Sequence, residues 1–143
     1  MKSTTLSRPL LLLFCAAPLL FSCKKDKDEA TPAERVLGTW NIVKETEKRY
    51  DYTTGAFLDS SAVNVPSGAF TAEFRTDGKM YLYKNDGGGI DRDTLGYKFQ
   101  NDSLLIINDN EFDIRQFTSN HLITRDYYDD GSANIEHLLE FKK

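Results

Sequence analysis

From Gly38 onward the chain switches between short apolar runs and clusters of turn-forming residues, and no stretch carries the 3.6-residue period of a long helix. In Phe70-Thr71-Ala72-Glu73-Phe74 every second residue is apolar, and Asp113 separates Phe112 from Ile114. Near the C-terminus Ile135, His137, Leu139 and Phe141 alternate with Asn134, Glu136, Leu138 and Glu140. A period of two puts one set of side chains on a core and the other in solvent, the pattern of an antiparallel sheet buried on one face. The runs predict eight strands, over 38–50, 69–76, 79–84, 92–100, 103–108, 111–118, 121–128 and 134–142. Between them stand Asp77-Gly78, Asn101-Asp102, Asp109-Asn110, Ser119-Asn120 and Asp129-Asp130-Gly131-Ser132, residues that tolerate positive φ or mimic a turn through their side chains.

Strands joined by such tight turns form a meander, and an eight-stranded meander with one apolar face can remove its edges by closing. The pattern therefore predicts an all-β, eight-stranded antiparallel up-and-down barrel, with a sandwich as the alternative. Leu104 to Ile107 is apolar on both faces, which predicts a cover or a partner over its outside, with Leu105 and Ile107 exposed there. Residues 51–68 make a connection much longer than the others, and long connections are functional or loose. They predict one long loop, with Phe57 and Leu58 either a greasy lid or packed on the outside of the barrel.

The first 22 residues follow another rule. Lys2 and Arg8 precede twelve residues, Leu10 to Phe21, that are apolar but for Pro18. Twelve residues are too few to span a bilayer as a helix, which takes about 20. A positive start and a short greasy run describe a secretory signal peptide. Its removal takes away two basic residues and no acidic one, leaving 16 basic against 22 acidic residues and a formal charge of −6. That balance gives no electrostatic reason to expect nucleic-acid binding. The remainder is enough for one domain, expected over 36–143.

Of the two cysteines, Cys15 lies inside the removed segment, so Cys23 has no disulfide partner. Leu20-Phe21-Ser22-Cys23 resembles the lipobox of bacterial lipoproteins, with leucine at −3, a small residue at −1 and cysteine at +1. The resemblance implies that Cys23 carries a diacylglycerol and becomes the new N-terminus. Acyl chains bury methylenes at about 0.8 kcal/mol each, and stable anchoring takes more than one chain. Residues 24–29, six charged residues in a row, are a solvated tether completed by residues 30–35. The same run resembles the lysine-and-acid signals that send some Gram-negative lipoproteins to the outer face of the outer membrane. A plain spacer on the periplasmic side is the other reading.

Directly after the tether comes Leu37-Gly38-Thr39-Trp40-Asn41-Ile42-Val43. A Gly-x-Trp opening the first of about eight antiparallel strands resembles the lipocalins, especially the short lipocalin-like domains of bacterial surface lipoproteins. The resemblance implies that Trp40 plugs the closed end and that the barrel holds a small, partly apolar ligand. Trp40, Phe70, Phe74, Tyr97, Phe99, Phe112, His137 and Phe141 would then face it. The rival is a solid barrel whose interior those rings fill, acting as an interaction or inhibitor module for another envelope protein.

Catalytic parts are scarce. The chain contains no Gly-x-Ser-x-Gly, phosphate loop or His-Glu-x-x-His, and only His121 and His137 supply imidazole. His121 follows Ser119-Asn120 and is expected to be exposed; His137 falls on the apolar face as a satisfied interior group. In calcium-loop register, the segment from Asp126 puts Tyr128 at position three and His137 at position twelve, where a bidentate glutamate is needed. No catalytic residue, metal or cofactor is therefore assigned. Replacing Cys23 with alanine should abolish labelling by radioactive palmitate and release the protein from membranes in high salt, as read by membrane fractionation.

Overall fold

A computed structural model describes residues 30–143. The expected signal peptide, Cys23 and the charged run after it lie outside the described residues. Thr31 opens a short helix, α1 (Pro32–Val36), with a reciprocal cap: its hydroxyl accepts from the Glu34 amide while its own amide and hydroxyl donate to the Glu34 carboxylate.

Nine strands follow: β1 (Gly38–Asp51), β2 (Phe57–Asn64), β3 (Phe70–Phe74), β4 (Lys79–Asn85), β5 (Ile90–Asn101), β6 (Leu104–Ile107), β7 (Asn110–Phe117), β8 (His121–Asp129) and β9 (Ala133–Lys142). All pairings are antiparallel, and from β3 to β9 each strand pairs with the next. The last strand returns to the first: β9 pairs with β1 from Asn41↔Lys142 to Asp51↔Ala133. The result is the closed eight-stranded antiparallel barrel that the alternation predicts. The count reconciles because β2 and β3 share one stave: β3 pairs with the first residues of β1, and β2 with its upper part on the same edge.

The predicted loop over 51–68 is therefore corrected. Only 52–56 and 65–69 are irregular, and Phe57 and Leu58 begin a strand rather than a lid. Asp51 makes the turn by accepting from the amides of Thr53 and Thr54 and from the Thr54 hydroxyl, which aims the chain back along β1. Ser60, Ser61, Pro66 and Gly68 disguise this strand in the sequence, and every residue of β2 is exposed.

The core fills the end of the barrel where β1 starts and β9 finishes. Val36, Trp40, Ala72, Phe74, Leu105 and Leu122 are buried there, with Phe141 beside them. Leu105 is thus a core residue and Ile107 packs against the core, so the outward-facing pair expected in β6 is not there; the partly covered outward residues are Leu104 and Ile106. Gly38 sits at φ +104°, a conformation that strains any residue with a Cβ, and this rather than close packing requires glycine before the tryptophan.

Trp40 closes the end. Its indole N–H donates to the Val36 carbonyl at 2.6 Å, pinning α1 across the opening. Phe117 tilts against the ring with centroids 6.2 Å apart, and the Lys143 ammonium lies 4.7 Å from the ring centre while donating to the carbonyls of Arg35 and Leu37. One side chain therefore joins the helix, the first strand and the C-terminus. Trp40→Ala should cost about 3–5 kcal/mol, measured by denaturant unfolding followed by circular dichroism, since this substitution removes the chain's one tryptophan.

Candidate ligand site at the open end of the barrel

An irregularity in the closing ladder builds the site. Ile42 pairs with Phe141, but Lys44 pairs with Glu140, so one extra residue is accommodated in β1 between them. Strict alternation would carry the inward face of β1 from Trp40 and Ile42 to Lys44, Thr46 and Lys48. The bulge shifts the phase, and Glu45, Glu47 and Arg49 share the inner face with Leu139, His137 and Ile135. The barrel interior is therefore apolar at its closed end and charged at its open end.

His137 stands at the boundary. Its Nδ1 lies 2.9 Å from Asp126 Oδ1 on β8 and its Nε2 lies 2.8 Å from Glu45 Oε1 on β1, so one imidazole ties three strands. The Tyr128 ring stands edge-on to it at 6.2 Å. The Tyr128 hydroxyl donates to Glu47, and that bond to a carboxylate pushes the phenol up to about 12. His121 is half-buried rather than exposed, because Glu140 pairs with its Nε2 at 2.9 Å.

Glu136, next to His137, faces the outside but is buried. Burial raises its pKa, yet hydrogen bonds from Lys48 and the Tyr50 hydroxyl, with the charges of Lys48 and Arg125, outweigh that and hold it below the ordinary glutamate value.

Opposite the His137 wall, the inner faces of β3, β4 and β5 carry a cleft of 440 Å³ lined by Phe70, Leu82, Lys84, Asp91, Arg92 and Asp93. Phe70 pairs with Lys84, Lys84 with Asp91, and Leu82 with Asp93, so Phe70 and Leu82 form a floor against the core and Lys84, Asp91 and Asp93 form a rim, while the Arg92 side chain alternates to the outer face and lies 5.4 Å from the Tyr81 ring.

The eight residues expected to line a cavity divide accordingly. Trp40, Phe74 and Phe141 are buried in the core, and Tyr97, Phe99 and Phe112 are half-buried against it. The rings pack on one another: Phe74 meets Tyr97 edge-on at 5.0 Å, and Phe99 lies parallel to Phe117 at 6.1 Å. Phe70 reaches the cleft, and His137 stands on the facing wall. Phe57 and Leu58 are exposed on β2, where Phe57 packs edge-on against Tyr50. Sequence reasoning missed Lys84, Asp91 and Asp93, which the alternation continuing from Leu82 and Leu95 does signal, and Glu45 and Glu47, which only the bulge turns inward. No group of three or more His, Cys, Asp or Glu that could hold a metal occurs among the described residues.

No protein-family model matches this chain, and no curated protein matches it in sequence. Among solved structures it is similar to a deswapped triple mutant of bovine odorant-binding protein, at 15% identity over 76% of this chain and 74% of that one, with a TM-score of 0.46. The bovine lipocalin allergen Bos d 2 gives 16% identity over 78% and 75%, with a TM-score of 0.47. Bovine odorant-binding protein in complex with a selenium-containing odorant gives 14% identity over 83% and 76%, with a TM-score of 0.47.

At the rim, the β8–β9 turn is held by Asp130, whose carboxylate accepts from the Ser132 hydroxyl and amide and the Ala133 amide and pairs with Arg49. These hydrogen bonds lower its pKa from 3.8 to about 2. Because the folded value lies below the unfolded one, the stabilisation is complete above the ordinary aspartate range and is lost as pH falls through about 2. Asp130→Ala should therefore melt below wild type at neutral pH, and the two melting curves should draw together as pH falls toward 2.

Proposed function

We propose that this protein is a non-catalytic binding protein of the cell envelope, held to the outer membrane by acyl chains on Cys23, whose barrel takes a small amphipathic ligand at its open end. The observation that carries the reading is the 440 Å³ cleft with Phe70 and Leu82 beneath Lys84, Asp91 and Asp93. Its volume falls in the range of small-molecule sites, about 300–1,000 Å³, and such sites combine an apolar floor with a few convergent polar groups. An apolar body would lie on Phe70 and Leu82 while a polar head reaches the rim.

This sharpens the picture of a deep greasy cavity. Trp40, Phe74, Leu105 and Leu122 fill the lower barrel, so the ligand would sit at the mouth rather than in the rings. The binding reading is also supported by His137, both of whose ring nitrogens are committed to carboxylates that brace neighbouring strands. The anchor and the outer-membrane address rest on the lipobox-like segment and the charged run after it.

The test is native mass spectrometry of the full-length protein extracted from its own membrane, with thermal melts in dodecanoate and in dodecylamine. A co-purified adduct, or a rise in melting temperature with either probe, is expected, and it should weaken in Lys84→Ala or Asp93→Ala, since both residues are exposed and neither packs in the core. Absence of any adduct together with unchanged melts in both probes would overturn the ligand reading.

A further inference from the structure

The strand that replaces the expected loop carries a second feature. β2 is hydrogen-bonded to β1 along one edge, and among the described residues no strand pairs with its other edge, because β4 ends at Asn85 opposite the Ala69 carbonyl, beyond the end of β2. The Val65 amide donates to the Val43 carbonyl. Antiparallel pairing alternates from there, so Val63, Ser61 and Asp59 turn their backbone groups toward β1, and Asn64, Ala62 and Ser60 turn theirs outward. An open edge of this length is a template for another strand, and proteins ordinarily blunt it with lysine, proline or a covering element. Here residues 57–64 contain no lysine and no proline, and Asp59 is their one charge. Phe57, Leu58 and Val63 are all more than half exposed on it.

We propose that β2 pairs with β2 of a second copy of this chain, antiparallel, about a two-fold axis through Ser61. Directly opposed residues must face the same side of a continuous sheet, which restricts a two-fold register to one centred on a residue rather than between two. Centring on Ser60 or on Ser61 gives overlaps of equal length, 57–63 or 58–64; the Ser61 register leaves out Phe57, which lies beyond the irregularity in the β1–β2 ladder. It sets Ser60 against Ala62, Leu58 against Asn64, and Asp59 against Val63. The outward-turned backbone groups of Ser60, Ala62 and Asn64 then meet their counterparts, and the single charge faces an apolar residue rather than its own copy. Sheet β8-β9-β1-β2 of one barrel continues into β2-β1-β9-β8 of the other. The proposal depends on neither the ligand nor the anchor.

The test is sedimentation equilibrium of the chain from residue 30, since the barrel's core and closure lie wholly within 30–143. The wild type should self-associate toward a dimer with rising concentration. Ala62→Pro removes an outward amide hydrogen without touching the β1 ladder, and it should leave a monomer whose circular dichroism is unchanged. Val63→Lys places an ammonium opposite the second copy's Asp59 and should tighten the dimer, whereas Val63→Asp opposes two carboxylates and should weaken it, each by about twofold or more. Opposite signs from one position are specific to this register. A wild type that stays monomeric throughout, a dimer indifferent to Ala62→Pro, or Val63 variants that shift association in the same direction would each overturn the proposal.

Discussion

The β1–β9 ladder closes the barrel, and the extra residue it absorbs between Ile42 and Lys44 sets the chemistry of everything above the core. Without it, the inward set from β1 would read Trp40, Ile42, Lys44, Thr46 and Lys48. With it, Glu45, Glu47 and Arg49 face in, and Glu45 meets His137. A bulge costs little in a closing ladder, since only one residue goes unpaired, yet a period of two means that a one-residue slip exchanges the faces of all that follows. The same slip frees Lys48 to reach Glu136 on the outside. Both the inner His137 tie and the outer Glu136 cluster depend on it.

The closed end depends on a different economy. A small barrel has more rim than its short turns can cover, and here α1 and Lys143 cover it by converging on Trp40. Arg35 adds to this by laying its guanidinium 4.6 Å from the Phe117 ring and donating to the Phe117 carbonyl. A tryptophan suits the position because it offers a large rigid face to cations and a single N–H to a helix carbonyl. Beside this seal Tyr97 and Phe99 pack on neighbouring rings and, with Ala33, Glu34 and Leu37, line a second cleft of 360 Å³.

Most of the barrel was legible because strands with one wet face announce themselves by alternation, and their turns by Asn, Asp and Gly. Asn108 and Asp109, at φ 45° and 67°, show why such residues are reliable punctuation. Alternation failed where its premise failed. β2 is exposed on both faces, so nothing in Asp59-Ser60-Ser61-Ala62 distinguishes it from a loop, and only its pairing with β1 defines it. Leu104 to Ile107 misled in the opposite sense, because a strand apolar on both faces leaves the phase undetermined. For the site, the sequence marked Phe70 and His137, but it could not show that a bulge would turn Glu45 inward beside that histidine.

The directions of the strands constrain how the two ends can be used. β1 leaves the closed end, where the chain emerges from residues 30–31, and runs to the open end, where the cleft and the free edge of β2 lie. A tether attached upstream would therefore present the cleft away from its point of attachment. If β2 pairs with β2 about a two-fold axis, the two β1 strands run in opposite directions, and the closed ends fall at opposite extremes of the pair. Nine residues from Cys23 to Thr31 reach at most about 30 Å when extended, whereas the fourteen residues of β1 alone span about 46 Å. Paired copies standing on end could not both reach one membrane from Cys23, whereas a pair lying with its strands along the surface would keep both closed ends close to it. If Cys23 holds the chain to a membrane, pairing through the free edge would turn the barrel from standing on its closed end to lying along the surface.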